Sequence, residues 1–110
     1  MEISVRQFDG FVILDIVGDI DLAHSPQMRK ALLGEIKEKK VPKVLLNLGQ
    51  VRYMDSSGIA SLVEGLRASR DTGSRLILYS LTTHVRNVMH LARLQTIFEI
   101  FEDEKQALDS

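Results

Sequence analysis

The sequence predicts a single α/β domain in which helices pack on a mixed, mostly parallel sheet. A hairpin signature opens the chain, apolar strand-like runs then alternate with amphipathic helical runs, and no repeat or linker interrupts the alternation. Such alternation is typical of parallel strands joined by right-handed crossovers. The 110 residues suffice for one hydrophobic core and are few for two. We therefore expect one domain over residues 1–110.

The opening hairpin is indicated by apolar residues on both sides of a tight turn. Ile3, Val5 and Phe8 precede Asp9-Gly10, and the apolar run "FVILDIV" follows it. Asp-Gly accepts the positive φ angles that two-residue turns need. The first two strands should therefore pair antiparallel.

The first helix is predicted to begin at Ser25, as the N-cap, with Pro26 as its first helical residue. Apolar side chains then recur every four residues at Met28, Leu32 and Ile36. The helix should run through a lysine-rich end, which suits its dipole. Pro42 then ends it, and the run "KVLLNL" is short and apolar, as expected of a strand covered on both faces.

Two more helices and two more strands complete the expected fold. The second helix follows "DSSG" with apolar residues at i, i+3, i+4 and i+7 spacing, and it should end near Thr72-Gly73. "RLILYS" is an apolar strand, after which Thr83 is expected to cap a third helix that extends to Ala92. "IFEIF" and "EDEKQAL" are predicted as a last strand and a short helix.

Composition excludes several classes of function. Fourteen basic residues against fifteen acidic ones give a net charge of -1, so no overall field would hold the protein on nucleic acid or an anionic membrane. The chain has no cysteine, so disulfides and cysteine-based zinc sites are excluded. No basic leader or membrane-length apolar run occurs, and we expect a cytoplasmic protein.

The stretch "YMDSSGIAS" places an acid, two hydroxyls and a glycine where a strand ends and a helix begins. In parallel sheets, the loops beyond the carboxyl ends of the strands are where sites usually form. Asp55 or Ser56 is expected to cap the helix, contributing about 1 kcal/mol. A cap needs one oxygen, which leaves Ser57 without a role.

Ser57 stands where a phosphate could be carried without unfolding the helix, because free N–H groups and the dipole favour an anion at a helix start. A phosphate adds roughly -1.5 to -2 charges at neutral pH. An unpaired charge buried in an interface costs about 3 to 5 kcal/mol, whereas tenfold weakening needs only about 1.4 kcal/mol. A phosphate on Ser57 would therefore switch binding if Ser57 lies in an interface.

The sequence motifs give little support for an enzyme. The nucleophile elbow G-x-S-x-G is absent, since Met54 and Asp55 precede the serines, and no glycine-rich nucleotide loop occurs. His84 and His90 are six residues apart, which differs from the i, i+4 spacing of helical metal ligands. We expect no enzyme activity, no cofactor and no metal. The acid pair in "GDID", Asp19 and Asp21, is by itself simply a turn with solvated acids.

Three segments together resemble the STAS domain, specifically the bacterial anti-sigma-factor antagonists. They are "GDID", the central run from "VLLNLGQVRYMDSSG" through "LILYSL", and the final "VRNVMHLARLQTIFEIFEDEKQAL". The likeness covers nearly the whole chain, and DSSG is its most specific part. One residue departs from the pattern: Arg93 stands before Leu94, where many relatives have glycine.

The resemblance implies a partner-switching protein. In that family, the unmodified antagonist binds an anti-sigma factor, which is also a serine kinase, and thereby frees a sigma factor. The kinase phosphorylates the hydroxyl residue before the loop glycine, here Ser57, and a PP2C-like phosphatase restores it. The resemblance also implies partner contacts at the remaining motif positions, which are Asp19, Asp21, Asp55, Ser56 and Gly58.

Other readings remain open at this point. STAS domains also occur in anion transporters, stress-signalling complexes and lipid-transport machinery, so a phosphate-independent scaffold or transport-complex subunit is the main alternative. A serine hydrolase and a small-molecule sensor are further alternatives. The oligomeric state and the sigma factor downstream do not follow from the sequence.

Overall fold

A computed structural model describes residues 1–110 and contains one five-stranded sheet with helices on both faces. The strands are β1 (Glu2–Phe8), β2 (Phe11–Val17), β3 (Lys43–Gln50), β4 (Arg75–Tyr79) and β5 (Glu99–Phe101). The helices are α1 (Ser25–Leu33), α2 (Ser56–Thr72), α3 (Thr83–Leu91) and α4 (Glu104–Leu108), and a π-helical segment, Gly34–Glu38, extends α1.

The sheet has the strand order β1-β2-β3-β4-β5. β1 and β2 pair antiparallel around the Asp9-Gly10 turn, where Gly10 has φ 84°, and every later pairing is parallel. The hairpin and the mixed, mostly parallel sheet expected from the sequence are therefore confirmed.

Alternate residues of the central strands face two separate hydrophobic clusters. Leu14, Leu46 and Leu78 are aligned across β2, β3 and β4 and lie in the larger cluster, to which α1, α2 and α3 contribute. Their neighbours Ile13, Leu45 and Ile77 face the smaller cluster, to which α4 contributes Ala107. All six leucines and isoleucines are almost completely buried, as expected of strands covered on both faces.

Two predicted helix caps are wrong by one residue. α1 begins at Ser25 itself, with His24 at the N-cap position and no side-chain cap; instead, the Asp21 carboxylate accepts the His24 N–H at 3.0 Å. α3 is capped by Thr82, not by Thr83, because the Thr82 hydroxyl also donates to the Val51 carbonyl at 2.7 Å. This tertiary contact selects between two adjacent threonines that are equivalent in sequence.

Three predicted lengths also change. The first helix becomes π-helical after Leu33, the third helix ends at Leu91 with Ala92 as an exposed C-cap, and the last strand is only Glu99–Phe101. The end of α2 is as predicted: Gly73 follows it with φ 75° in the left-handed region.

Candidate functional site

The start of α2 is built around the carboxylate of Asp55. Asp55 is the N-cap, and its Oδ1 accepts the Ser57 N–H at 2.9 Å and the Gly58 N–H at 3.4 Å. The same oxygen accepts the Ser57 hydroxyl at 2.5 Å. Of the two residues predicted to cap, Asp55 does so, and it also orients the hydroxyl of Ser57.

Asp55 also joins the start of α2 to the loop that follows β2. Its Oδ2 accepts the Leu22 N–H at 3.2 Å. In the main chain, Ile20 N–H donates to the Tyr53 carbonyl at 2.9 Å, and Asp55 N–H donates to the Ile20 carbonyl at 3.2 Å. The "GDID" and "DSSG" segments, more than thirty residues apart in sequence, therefore form one surface.

Gly58 lets the helix approach this loop closely. A Cβ at position 58 would lie 2.7 Å from Met54 Cγ, 2.8 Å from Ile20 Cγ2 and 3.1 Å from the Ile20 carbonyl oxygen. Met54 and Ile20 are buried, so neither can move away at low cost. Because Gly58 is itself buried, it supports the site from below.

The electrostatics of the corner favour an ionised Asp55. Hydrogen bonds hold the pKa of Asp55 below its usual range, although partial desolvation opposes this. The bond from the Ser57 hydroxyl contributes most, and the bonds from the N–H groups of Gly58, Ser57 and Leu22 add to it. A charged acceptor strengthens each of these bonds. At neutral pH, the Ser57 hydroxyl therefore points its hydrogen at a carboxylate.

The remaining predicted site residues differ in their surroundings. Asp19 is exposed, whereas the Asp21 carboxylate is already engaged by His24, through Nδ1 at 2.7 Å and N–H at 3.0 Å. Ser56 is exposed at the first position of α2, and Ser57 beside it is half-buried. Asp21 therefore orders its own turn, and Asp19 is the acid that faces solvent.

Apolar and aromatic residues at this surface were not singled out from the sequence. Leu22 is 76% exposed and Tyr53 is 45% exposed, and the Tyr53 ring stacks on His84 with centroids 5.1 Å apart. His84 also reaches across to the main chain, since its Nε2 lies 3.3 Å from the Met54 carbonyl oxygen. The available signal was a leucine that directly follows the acid pair in a loop, where a buried side chain is not needed.

The histidines near this corner do not contact the Ser57 hydroxyl. Ser57 has a carboxylate as its hydrogen-bond partner, and the ring nitrogens of His24 and His84 bond to Asp21 and to the Met54 carbonyl instead. Acyl transfer by serine requires a base on the hydroxyl together with preorganised donors for an oxyanion. The N–H groups of Ser57 and Gly58 at this corner already donate to Asp55.

No helix has the length and apolarity needed to cross a membrane.

Comparison with known proteins points to one family over nearly the whole chain. The STAS domain family model matches residues 2–107. The anti-sigma-B factor antagonist of Listeria monocytogenes is 31% identical over 101 residues, which cover 91% of this chain and 86% of that protein.

Solved structures share the fold. The crystal structure of an anti-sigma factor antagonist from Mycobacterium paratuberculosis has a TM-score of 0.83 at 22% identity, covering 98% of this chain and 91% of that one. The Bacillus cell fate determinant SpoIIAA in its phosphorylated form has a TM-score of 0.76 at 21% identity, covering 98% and 97%. With a family model that matches residues 2–107 and a relative that is 31% identical over 91% of the chain, the chain belongs to the STAS domain family.

Proposed function

We propose that this chain is an anti-sigma-factor antagonist whose binding to an anti-sigma serine kinase is abolished by phosphorylation of Ser57. A PP2C-like serine phosphatase would reverse the modification. The observation that carries this proposal is the Ser57 hydroxyl, held 2.5 Å from the Asp55 carboxylate at the start of α2. The name of the Listeria monocytogenes relative, an anti-sigma-B factor antagonist, supports the antagonist role.

The surroundings favour Ser57 over Ser56 as the modified residue. The carboxylate of Asp55 orients the Ser57 hydroxyl, whereas Ser56 is exposed at the first helical position. An oriented nucleophile lowers the cost of reaching the geometry for phosphoryl transfer. In that transfer, Ser57 Oγ bonds to the γ-phosphorus of the ATP held by the kinase as the bond from that phosphorus to the ADP oxygen breaks. ADP leaves, and the hydroxyl proton passes to the Asp55 carboxylate and from there to solvent. The proposal is compatible with phosphorylation of this fold elsewhere, since SpoIIAA has been solved in a phosphorylated form.

The partner surface we propose surrounds Ser57. Asp19, Asp21, Asp55 and Ser56 supply its polar part, and Gly58 holds the helix close beneath it. Leu22 and Tyr53 add exposed apolar area, which at interfaces often contains the residues that dominate affinity. A phosphate of roughly -1.5 to -2 charges placed among these acids would be repelled by them and desolvated by the partner.

The first test is phosphopeptide mass spectrometry on the protein isolated from the cells that make it. We expect phosphate on Ser57 in a fraction that changes with growth or stress, and an unmodified Ser56 in the same peptide. A well-covered peptide that never carries phosphate would contradict the switch and favour a phosphate-independent scaffold. Phosphate on Ser56 alone would contradict the assignment of the residue.

Binding to an anti-sigma serine kinase from the same organism provides the second test. Ser57→Asp is expected to weaken binding by as much as a hundredfold, which corresponds to about 2.7 kcal/mol. Ser57→Ala should bind like the wild type and resist phosphorylation. Ser56→Asp is the matched control, and its affinity should change by much less. Equal losses for the two aspartate variants would mean that general charge, not position 57, controls binding.

A further inference from the structure

Glu35 is the only charged residue of the chain that is buried, and half of its carboxylate has no partner. The residue is 5% exposed. Its Oε2 accepts the Lys39 ammonium at 2.9 Å, whereas Oε1 is buried and has no hydrogen bond within the protein. Buried polar atoms nearly always have a partner, and a carboxylate oxygen can only accept. Glu35 therefore has an acceptor for which the chain supplies no donor.

The backbone around Glu35 explains how an acid comes to be buried here. Leu32 is a core residue, and Glu35 lies on the same side of the helix because it follows Leu32 by three residues. The helix then widens into the π-helical segment Gly34–Glu38, which is closed by the Lys39 N–H on the Gly34 carbonyl at 3.0 Å. Single π-helical turns are rare and occur frequently at functional sites.

Two adjoining cavities, which we call the Glu35 cavities, meet at this carboxylate. The first has a volume of about 270 Å³ and lies beside Gly10 and Pro42, and the second has a volume of about 380 Å³ and lies between β1 and α1. Glu35 and Lys39 line both cavities. The terminal torsion of a glutamate is soft, so Oε1 can turn towards either one. The volumes are of the size that small molecules occupy.

The charges around the Glu35 cavities favour an anion. Glu35 is the only acid among the lining residues, and three lysines accompany it, namely Lys30, Lys39 and Lys40. Lys39 is paired with Glu35, whereas Lys30 and Lys40 form no ion pair within the chain. A cationic donor would meet these two unpaired ammonium groups, which repel it. The donor that Oε1 lacks therefore has to be an uncharged group on a molecule that is negative elsewhere.

We propose that Glu35, Lys30 and Lys40 bind a small hydroxycarboxylate in the Glu35 cavities, since this is the simplest molecule that carries both groups. Its hydroxyl donates to Glu35 Oε1, and its carboxylate pairs with the ammonium of Lys30 or Lys40. The apolar wall formed by β1 packs against its carbon atoms. The site is independent of the proposed function, because the first cavity adjoins the amino ends of β2 and β3, whereas Ser57 lies beyond their carboxyl ends.

Matched pairs of acids test the hydroxyl directly. Malate and succinate, para-hydroxybenzoate and benzoate, and glycolate and acetate each differ by one hydroxyl group. Each acid is titrated into the isotope-labelled full chain while the amide NMR shifts are followed. At least one hydroxylated acid should bind at least about tenfold more tightly than its partner, because a site built for a hydroxyl rejects the analogue without it. The amides that shift should be those of residues 34–40 and of β1.

Three outcomes of these titrations would overturn the proposal. They are equal affinities within every pair, no binding by any of the acids, and shifts confined to the Ser57 corner. Absence of binding would mean that solvent alone satisfies Glu35 Oε1.

Replacement of the acceptor tests the role of Glu35. Glu35→Leu should abolish the preference for the hydroxylated acid. The variant should stay folded, because an apolar side chain can replace a buried ion pair at little cost and the remaining Lys39 side chain is 57% exposed. Glu38→Leu is the matched control, since Glu38 is exposed on the same segment and lines neither cavity. A hydroxyl preference that survives Glu35→Leu would refute the role of Glu35.

Lysine variants test the anion part of the site even if Glu35→Leu does not fold. Lys30→Gln combined with Lys40→Gln should weaken binding of the hydroxylated acid at least about tenfold, because two positive charges near its carboxylate are lost. Lys37→Gln is the control, since Lys37 is exposed and lines neither cavity. Equal affinities of the double variant and the control would contradict the site.

Discussion

At the scale of single residues, the Ser57 corner depends on one carboxylate and one missing side chain. Asp55 accepts the N–H groups of Ser57, Gly58 and Leu22 together with the Ser57 hydroxyl. Gly58 permits the close packing that brings these donors into range. The site is therefore sensitive to changes that add no charge and remove no hydrogen bond.

Gly58→Ala should destabilise the fold. Its methyl group would meet Met54 and Ile20 at 2.7 and 2.8 Å, and overpacking of this kind costs about 1 to 3 kcal/mol. Gly34→Ala is the control, since no atom lies within 4 Å of its added Cβ and its backbone is helical; it should be neutral or stabilise by up to about 1 kcal/mol. Urea denaturation measures both, and equal free energies of unfolding would contradict the packing account.

Arg93→Gly should stabilise the protein. Arg93 has φ 59° where α3 ends, with its N–H on the His90 carbonyl and the Leu94 N–H on the Met89 carbonyl. This is the Schellman arrangement, in which the left-handed residue is usually glycine. Relief of the left-handed strain should contribute about 1 kcal/mol. Arg86→Gly, inside the same helix, should instead lose about 1 kcal/mol, and the same sign for both changes in thermal melts would contradict this reading.

At the scale of elements, α4 is attached to the sheet by a polar network. Arg6 donates to the Asp15 carboxylate at 2.6 and 2.8 Å and to Glu104 Oε1 at 2.6 Å, and the Tyr79 hydroxyl donates to the same Glu104 oxygen at 2.6 Å. Burial, and then the Glu104 carboxylate, raise the pKa of the Tyr79 hydroxyl. Ala107 is the only residue of α4 that is buried, so this network must supply much of its attachment.

Glu104→Ala should loosen α4 more than the rest of the fold. The buried Tyr79 hydroxyl would lose its short acceptor, and an unsatisfied buried group costs about 1 to 3 kcal/mol. Hydrogen exchange of the α4 amides should accelerate, while amides in β3 retain protection. Lys105→Ala is the control on the same helix, because Lys105 is exposed. Equal acceleration by both variants would show that the network does not hold the helix.

At the scale of the whole molecule, three helices and the larger core lie on one face of the sheet, and α4 lies on the other. The Ser57 surface lies beyond the carboxyl ends of β2 and β3, and the open β1 edge lies along one side. These two surfaces use different elements, so a modification of Ser57 need not change the β1 edge.

Acid should destabilise the whole fold through the network that joins β1, β2 and α4. Hydrogen bonds from Arg6 and then from Tyr79 lower the pKa of Glu104. Burial raises the pKa of Asp15, but the hydrogen bonds from Arg6 and Asn47 outweigh burial, so this pKa is lowered as well. A depressed pKa in the folded state gives stability that is present above the unfolded values of about 4 and is lost as pH falls through the folded values. Thermal melts should fall in midpoint below about pH 4. Glu104→Ala should flatten that fall, and an unchanged slope would contradict the linkage.

Much of the fold could be predicted because local patterns and tertiary contacts agree. The Asp9-Gly10 turn, the apolar strands, the start of α2 in the DSSG corner and its end near Thr72-Gly73 were all expected and are confirmed. The caps predicted at Ser25 and Thr83 were wrong because contacts of neighbouring residues determine where each helix begins. Asp21 accepts the His24 N–H before α1, and the Thr82 hydroxyl donates to the Val51 carbonyl before α3. The roles of Asp19, Asp21, Asp55, Ser56, Ser57 and Gly58 in partner binding stay predictions.

The sequence by itself determined the α/β class, the single domain and the position of the DSSG corner, because periodicity, turn residues and helix caps act over a few neighbouring residues. The tertiary structure alone decided that Asp55 reaches Leu22, that Tyr53 stacks on His84 and that Gly58 must lack a side chain. It also decided that β1 has an open edge, since strand order is a property of the assembled sheet. These features join residues distant in the chain, and their energies arise only when packing brings them together.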